Sequence, residues 1–170
     1  MRAIVVMGVT GCGKSTVATA ICQRTGAYLI EGDEFHPPEN IRKMRAGIPL
    51  TDADRQGWLE RLAREAADRL ASYERVVLTC SALKQRYRDT LRQAAPALGF
   101  VFLALTPEQA TQRVAHRAAH FMPASLVDSQ FRDLEVPDGE PLVFAVDATR
   151  PVDVIAEEVV AWWHAGWGKV

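Results

Sequence analysis

The stretch GVTGCGKS, from Gly8 to Ser15, places three glycines, a lysine and a serine within eight residues. It matches the pattern G-x-x-x-x-G-K-[ST], in which glycines let backbone N–H groups converge on phosphate oxygens. The lysine adds a positive charge beside the β- and γ-phosphates, and the serine hydroxyl binds Mg²⁺. The pattern therefore predicts a site for a nucleoside triphosphate such as ATP. The residues expected to contact it are Gly8, Val9, Thr10, Gly11, Cys12, Gly13, Lys14, Ser15 and Thr16.

The segments on either side of this loop favour the same prediction. Residues 3–7 form a short apolar run that predicts a buried strand, and residues 14–24 have the spacing of a helix that ends before Gly26. A strand in this place delivers the loop to the carboxyl edge of a parallel sheet, where ligands bind. The helix offers an anion its free N–H groups and the positive end of its dipole.

Two acidic residues, Glu31 and Asp33, follow the second apolar run. The third run ends in Cys80-Ser81 and not in an aspartate, and neither the DxxG motif after that run nor the NKxD motif of GTPases is present. Residues two apart on a strand project to the same side, so this pair can supply the missing acid. Asp33 is expected to accept a proton from an attacking hydroxyl, and Glu31 to hold Mg²⁺ through water. The alternative is a pair of solvated turn acids.

The composition excludes several classes of partner. The 170 residues are 48% hydrophobic and 24% charged with a formal net charge of −1, which gives no reason to expect a nucleic acid or a membrane as partner. Cys12, Cys22 and Cys80 have no paired or metal-binding spacing, which indicates reduced thiols in a cytoplasmic protein. No apolar run is long enough for a signal peptide or a membrane span. Beside Lys14, Cys12 is either a reactive thiolate or a side chain packed in the core.

Apolar runs alternate with helical patterns along the rest of the chain, which is expected to form one domain from residue 1 to residue 170. Further strands are predicted at residues 27–33, 75–80, 100–105 and 142–146. Strands that are apolar throughout and alternate with helices are typical of a parallel sheet covered on both faces, the α/β class. Thr51 with Asp54 and Thr106 with Gln109 are predicted to begin helices as capping boxes. The charged segment 113–137 fits this core poorly and is predicted to be a lid.

Four stretches of the chain together resemble a known family. They are GVTGCGKS, EGDEFHPPENIRKMRAGIPLTDADRQGWL, CSALKQRYRDTLR and HFMPASLVDSQFRDLEVP, in this order. They are similar to the signature blocks of the gluconate kinases, the small gluconokinase type of P-loop kinase with a nucleoside-monophosphate-kinase-like fold. The first block is common to many P-loop proteins, and the other three are much more specific. The resemblance covers nearly the whole chain.

The resemblance implies a fold and an activity. The fold would be a five-stranded parallel sheet in the order 2-3-1-4-5, flanked by helices, with a lid. The activity would be ATP- and Mg²⁺-dependent phosphorylation of D-gluconate on its 6-hydroxyl group, and a family-type assembly would be a homodimer. The sequence departs from the family at three places, with Glu31 where aspartate is frequent, Ala53 where an acid is frequent and Gly57 where proline is frequent. These departures concern local substrate contacts.

Gluconate is a linear polyhydroxylated anion, so its site needs a cation and groups that bind hydroxyls. With Asp33, the candidates are His36, Arg45, Lys84 and Arg88. A guanidinium can hold a carboxylate with two parallel hydrogen bonds, so Arg88 is predicted to bind the gluconate carboxylate. His36 either binds substrate or caps the next helix.

The predicted lid carries Arg113 and Arg117 at helical spacing. The resemblance places both arginines on the ATP phosphates, where they would offset charge on the transferred phosphoryl group. Lys14, Asp33 and Arg117 are therefore the predicted catalytic residues, and residues 147–151 after the fifth strand are expected beside the adenine.

Two other functions remain open from the sequence. One is a kinase of the same fold with another acceptor, such as shikimate or adenylylsulfate. The other is a non-catalytic nucleotide sensor, against which the intact Lys14, Ser15 and Asp33 argue.

Overall fold

A parallel sheet of five strands forms the centre of the fold. The computed structural model describes residues 1–93, 95, 97–116 and 125–166. The strand order is β2-β3-β1-β4-β5, with every neighbouring pair parallel. This confirms the predicted class and order. The strands are β1 (Ala3–Met7), β2 (Tyr28–Glu31), β3 (Val76–Thr79), β4 (Gly99–Ala104) and β5 (Val143–Asp147).

Helices cover both faces of this sheet. Their bounds are α1 (Lys14–Thr25), α2 (Pro38–Arg45), α3 (Asp52–Ser72), α4 (Gln85–Arg92), α5 (Pro107–Ala115), α6 (Leu126–Asp133) and α7 (Val152–Ala165). Both predicted capping boxes are present, and their side chains satisfy backbone N–H groups that helices leave free at their start. Within the described part of the chain, no helix is both long and apolar enough to cross a membrane.

The sheet separates two apolar layers. Side chains of β1 alternate between them because successive residues of a strand point to opposite faces. Ile4 and Val6 pack with the layer of α1 and α7, whereas Val5 and Met7 pack with the layer of α3. All of β1 is buried, and full burial of an aliphatic side chain contributes roughly 1.5–3 kcal/mol. The strand before the phosphate loop is thus firmly fixed between two layers.

The end of β2 differs from the expectation that the strand runs to Asp33. The strand ends at Glu31, and Gly32–Phe35 form a 3-10 turn. A Cβ atom on Gly32 would lie 2.0 Å from the carbonyl oxygen of Thr79, so only glycine fits this approach. The Gly32 N–H donates to Thr79 Oγ1 at 3.0 Å, and Trp58 Nε1 donates to the Gly32 carbonyl at 2.8 Å. These bonds hold the turn that carries Asp33.

Candidate active site

The phosphate loop has the backbone of an anion-binding nest. Gly8, Gly11 and Gly13 have φ of 143°, 81° and 92°, in the region that favours glycine. Lys14 Nζ donates to the carbonyl oxygens of Gly8 and Val9 at 3.1 and 3.0 Å. The ammonium group therefore lies over the loop, where a phosphate would gain both its charge and the converging N–H groups.

Ser15 and Glu31, the two predicted metal ligands, lie next to each other at the phosphate loop. Ser15 Oγ donates to Glu31 Oε2 at 2.9 Å, and Thr79 Oγ1 donates to the same oxygen at 2.8 Å. The pairing of Glu31 with Thr79 in the sheet register brings these groups together. Thr79 thus orients the carboxylate toward the first turn of α1.

A pocket opens beside the phosphate loop at the carboxyl edge of the sheet. Its walls come from the loop, the turn after β2, the start of α3, and α6. Helix α6 is tied to the loop, because Gln130 Oε1 accepts from the Thr10 N–H at 2.7 Å. The polar groups that line the pocket include those of Lys14, Asp33, His36 and Arg55. The pocket therefore combines a phosphate-binding end, a carboxylate and a buried cation.

His36 lies in this pocket and does not cap α2. Its ring stacks on Trp58 with centroids 4.0 Å apart, and its Nε2 lies 3.8 Å from Asp33 Oδ1. The residue before α2 is Pro37, and no side chain caps that helix. Burial lowers the pKa of His36 to about 4; the neighbouring Asp33 opposes this shift and Arg55 adds to it. The ring is therefore neutral near pH 7.

The lowered pKa of His36 predicts a loss of stability in mild acid. The unfolded chain binds a proton below about pH 6.5 and the folded chain only below about pH 4, so protons favour the unfolded state between these values. As the pH is lowered through this window, we expect the free energy of unfolding of the wild type to fall relative to that of His36→Gln. The fall should be up to about 1.4 kcal/mol per pH unit. Urea unfolding of both proteins at several pH values measures the difference. A constant difference would contradict the buried, neutral histidine.

Arg88 is not in the pocket, which corrects the prediction that it binds the substrate carboxylate. Its side chain is fully buried and donates from Nη1 to the carbonyl oxygens of Ala82 and Leu83 at 2.8 and 3.1 Å. Its Nε lies 3.0 Å from both carboxylate oxygens of Glu140, and Nη2 also donates to that carboxylate. Arg92 Nη2 donates to Glu140 at 2.8 Å as well. The guanidinium does bind a carboxylate with two hydrogen bonds, but the carboxylate belongs to the protein.

Arg88→Ala is therefore expected to lower stability. Removal of one partner of a buried ion pair costs about 3–5 kcal/mol, and Arg92 still contacts Glu140, so we expect about 3 kcal/mol. Urea unfolding measures this loss. Arg86→Ala on the same helix is the control, since Arg86 is 61% exposed and its pair with Asp52 contributes at most about 1 kcal/mol. Unchanged stability with a raised KM for the acceptor would contradict this structural role and favour a contact between Arg88 and the substrate.

Arg45 and Lys84 lie outside the pocket lining, so the geometry lends no support to the two substrate contacts predicted for them. Arg45 is exposed at the end of α2, whose buried residues are Asn40 and Met44.

Lys84 Nζ donates to the Asp52 carboxylate at 3.0 Å and lies 3.9 Å from Asp133. Tyr87 donates to the same Asp52 carboxylate. Lys84 therefore joins α3 to α4.

Arg55, which the sequence interpretation missed, is the buried cation of the pocket. It is 5% exposed, its guanidinium lies 5.5 Å from the Tyr87 ring centroid, and its Nη2 is 3.5 Å from Asp133 Oδ2. Its Nε is buried and has no hydrogen-bond partner among the residues that the structure describes. Such a donor lacks the compensation that buried polar groups require. Its sequence signal is spacing: it lies three residues before Trp58 and seven before Leu62, on the apolar stripe of α3.

A second groove lies on the other side of the phosphate loop. It is lined by Gly13, Thr16, Arg113 and residues after β5, Ala148 among them. Arg113 Nη2 donates to the Ala148 carbonyl at 2.8 Å, and Nη1 to the Cys12 carbonyl at 3.5 Å. Arg113 thus lies beside the loop, in α5, and links it to the segment predicted to contact adenine. Arg117 lies outside the described residues.

The Cys12 side chain is packed in the core and not exposed to reagents. It is 1% exposed and belongs to the apolar layer of α1 and α7. A Cβ on Gly8 would lie 2.8 Å from its Sγ, so the thiol fills the space beneath the loop. Of the two roles left open by the sequence, the structure favours packing.

Comparison with known proteins finds a family model and several relatives that are similar to this chain. The family model described as an AAA domain matches residues 4–137. A gluconokinase of Gluconobacter oxydans is 43% identical over 164 residues, which cover 96% of this chain and 92% of that protein.

Two solved structures are similar over nearly the whole chain. A gluconokinase from Sinorhizobium meliloti is 50% identical with a TM-score of 0.84, covering 96% of this chain and 92% of that one. An unliganded sugar kinase from Janibacter is 40% identical with a TM-score of 0.92, covering 98% and 96% of the two chains.

Proposed function

Because this chain belongs to the gluconokinases, within the family of the AAA-domain model, we propose that it transfers the γ-phosphoryl group of ATP to the 6-hydroxyl group of D-gluconate. The pocket is the observation that carries this proposal. It has a phosphate-binding loop at one end, the buried cation Arg55 in its lining and the carboxylate of Asp33 beside His36. A linear acid with a hydroxyl at its far end matches that set of groups.

Asp33 is the proposed base. Its side chain is 45% exposed and lines the pocket together with the phosphate loop. A carboxylate within reach of the acceptor hydroxyl can take its proton as the oxygen attacks phosphorus. The 3-10 turn that begins at Gly32 keeps Asp33 out of the strand and in the pocket.

Arg55 is the proposed site of the gluconate carboxylate, in place of Arg88. A guanidinium binds a carboxylate through paired, charge-assisted hydrogen bonds, and its donors are strongest where water is excluded. Arg55 meets both conditions, because it is buried and its Nε has no hydrogen-bond partner in the described part of the chain. The substrate would supply the acceptor that these residues do not.

The phosphate loop, with Lys14 over it, is the proposed binding site of the triphosphate. The groove beside Arg113 is the proposed binding site of the adenine base. Arg117, in the segment 113–137 proposed as a lid, would complete the catalytic set by screening charge on the transferred phosphoryl group. We also propose that residues 1–170 act as one kinase domain of a cytoplasmic enzyme, and that two copies can pair as a homodimer.

Ser15 and Glu31 are the proposed magnesium ligands. Mg²⁺ prefers oxygen donors and keeps several waters, so few protein ligands suffice. The hydroxyl and carboxylate 2.9 Å apart fit that preference. Among the described residues there is no cluster of three or more histidine, cysteine or acidic side chains that could hold a metal ion. Bound there, the ion would neutralise charge on the β- and γ-phosphates.

A coupled ADP-release assay over a panel of acceptors tests the proposal. D-gluconate, shikimate, adenylylsulfate and water alone are compared at equal ATP and Mg²⁺. D-gluconate is expected to give the fastest release, with one phosphate ester formed per ADP. Faster release with another acceptor would contradict the proposed substrate, and release independent of any acceptor would contradict a kinase.

A further inference from the structure

A chain of buried polar groups runs from the start of α3 through α2 to the pocket. Asn40, which is 3% exposed and does not line the pocket, donates from Nδ2 to the Asp54 carbonyl oxygen at 2.9 Å. The same Nδ2 lies 3.4 Å from His36 Nδ1. The other ring nitrogen of His36 faces Asp33 at 3.8 Å.

The chemistry of these contacts determines which ring nitrogen carries the proton. A backbone carbonyl only accepts hydrogen bonds, so the Asn40 atom beside it must be the amide nitrogen, not the amide oxygen. That nitrogen only donates, so a hydrogen bond across the 3.4 Å contact requires His36 Nδ1 to accept and to carry no hydrogen. A neutral imidazole has one N–H, and it is therefore on Nε2.

We propose that Asn40 is a positioning residue that holds His36 in the Nε2–H tautomer, so that His36 donates to the same substrate hydroxyl from which Asp33 accepts. The proposal rests on the proposed function, since it names groups that recognise the acceptor. A hydroxyl bound in this way accepts from His36 with one of its two lone pairs and donates its proton to Asp33, and the second lone pair stays available to attack phosphorus. The stack on Trp58 fixes the ring plane, and the lowered pKa of His36 keeps the ring neutral.

Asn40→Asp separates this role from a structural one. At a pH where the ring is neutral, its carboxylate would accept from Nδ1–H, so the ring would change tautomer and its Nε2 would lose the donor. We expect the KM for D-gluconate to rise roughly tenfold or more, the equivalent of one lost hydrogen bond, with the KM for ATP unchanged. Glu39→Gln is the matched control, because Glu39 is exposed on the same helix.

Spectra of the full chain with ¹⁵N-labelled histidine measure the tautomer directly. The chain has four histidines, and the signal missing from His36→Gln identifies the one in the pocket. We expect Nε2–H in the wild type and Nδ1–H in Asn40→Asp. An Nδ1–H ring in the wild type, or a changed tautomer with an unchanged KM, would overturn the proposal.

A second pair of variants keeps the test decisive if Asn40→Asp does not fold. The amide nitrogen of glutamine can take the place of Nε2, and that of asparagine the place of Nδ1. His36→Gln is therefore expected to lose less kcat/KM for D-gluconate than His36→Asn, and the reverse order would overturn the proposal. If the wild type does not phosphorylate D-gluconate at all, the proposed function fails, while the wild-type spectrum still tests the tautomer.

Discussion

Asp33→Asn is expected to lower kcat for D-gluconate phosphorylation by about 10²–10⁴, the range typical of losing a general base. The change keeps the size of the side chain and removes its ability to take a proton. Because the transition state of phosphoryl transfer is loose, the lower half of this range is favoured. The KM for ATP should change little, since Asp33 lies in the turn after β2 and not in the phosphate loop. Steady-state kinetics with D-gluconate and ATP varied separately measure both quantities.

Glu34→Gln is the matched control for this change. Glu34 is the next residue along the chain, it is exposed, and it does not line the pocket. The kcat of Glu34→Gln should stay within about twofold of that of the wild type. If Glu31→Gln lowers kcat more than Asp33→Asn, the roles proposed for the two acids must be exchanged.

Arg55→Leu is expected to raise the KM for D-gluconate by about 10²–10³. Each charge-assisted hydrogen bond contributes roughly 1.5–3 kcal/mol, and a guanidinium can make two to one carboxylate. The affinity for ATP, measured by titration, should stay near that of the wild type. The KM of Arg55→Lys for D-gluconate should lie between those of the wild type and Arg55→Leu, because lysine keeps the charge and loses the paired geometry.

Arg45→Leu removes the same charge from the exposed end of α2 and is the control for Arg55→Leu. It should leave the KM for D-gluconate unchanged, since Arg45 does not line the pocket. A large increase in KM in Arg45→Leu, without one in Arg55→Leu, would contradict the proposed carboxylate site.

The sheet and the helix starts could be predicted because local signals determine them. The apolar strands, the glycine pattern of the phosphate loop and the capping boxes at Thr51 and Thr106 each depend on residues close together in the sequence. The turn at Gly32 could not be predicted in this way. It depends on the carbonyl of Thr79, which lies 47 residues further along the chain and reaches Gly32 only through the pairing of β2 with β3.

The surroundings of Arg88 and Arg55 could not be predicted for a similar reason. A charge on a helix is normally solvated, and whether it is buried depends on a partner elsewhere in the chain. For Arg88 that partner is Glu140, in the segment before β5. The Nη2 of Arg55 lies 3.5 Å from Asp133, and its buried Nε has no hydrogen-bond partner among the described residues. Its place on the apolar stripe of α3 was the signal available in the sequence.

Comparing D-gluconate with D-glucitol as acceptors for the wild type measures whether the pocket recognises the substrate by its carboxylate. The two molecules share a six-carbon polyhydroxylated chain, but glucitol has a hydroxymethyl group where gluconate has its carboxylate. If Arg55 binds the carboxylate and Asp33 activates the hydroxyl at the far end, kcat/KM for D-gluconate should exceed that for D-glucitol by at least about 10². Equal values of kcat/KM, or no ADP release that depends on D-gluconate, would contradict the account.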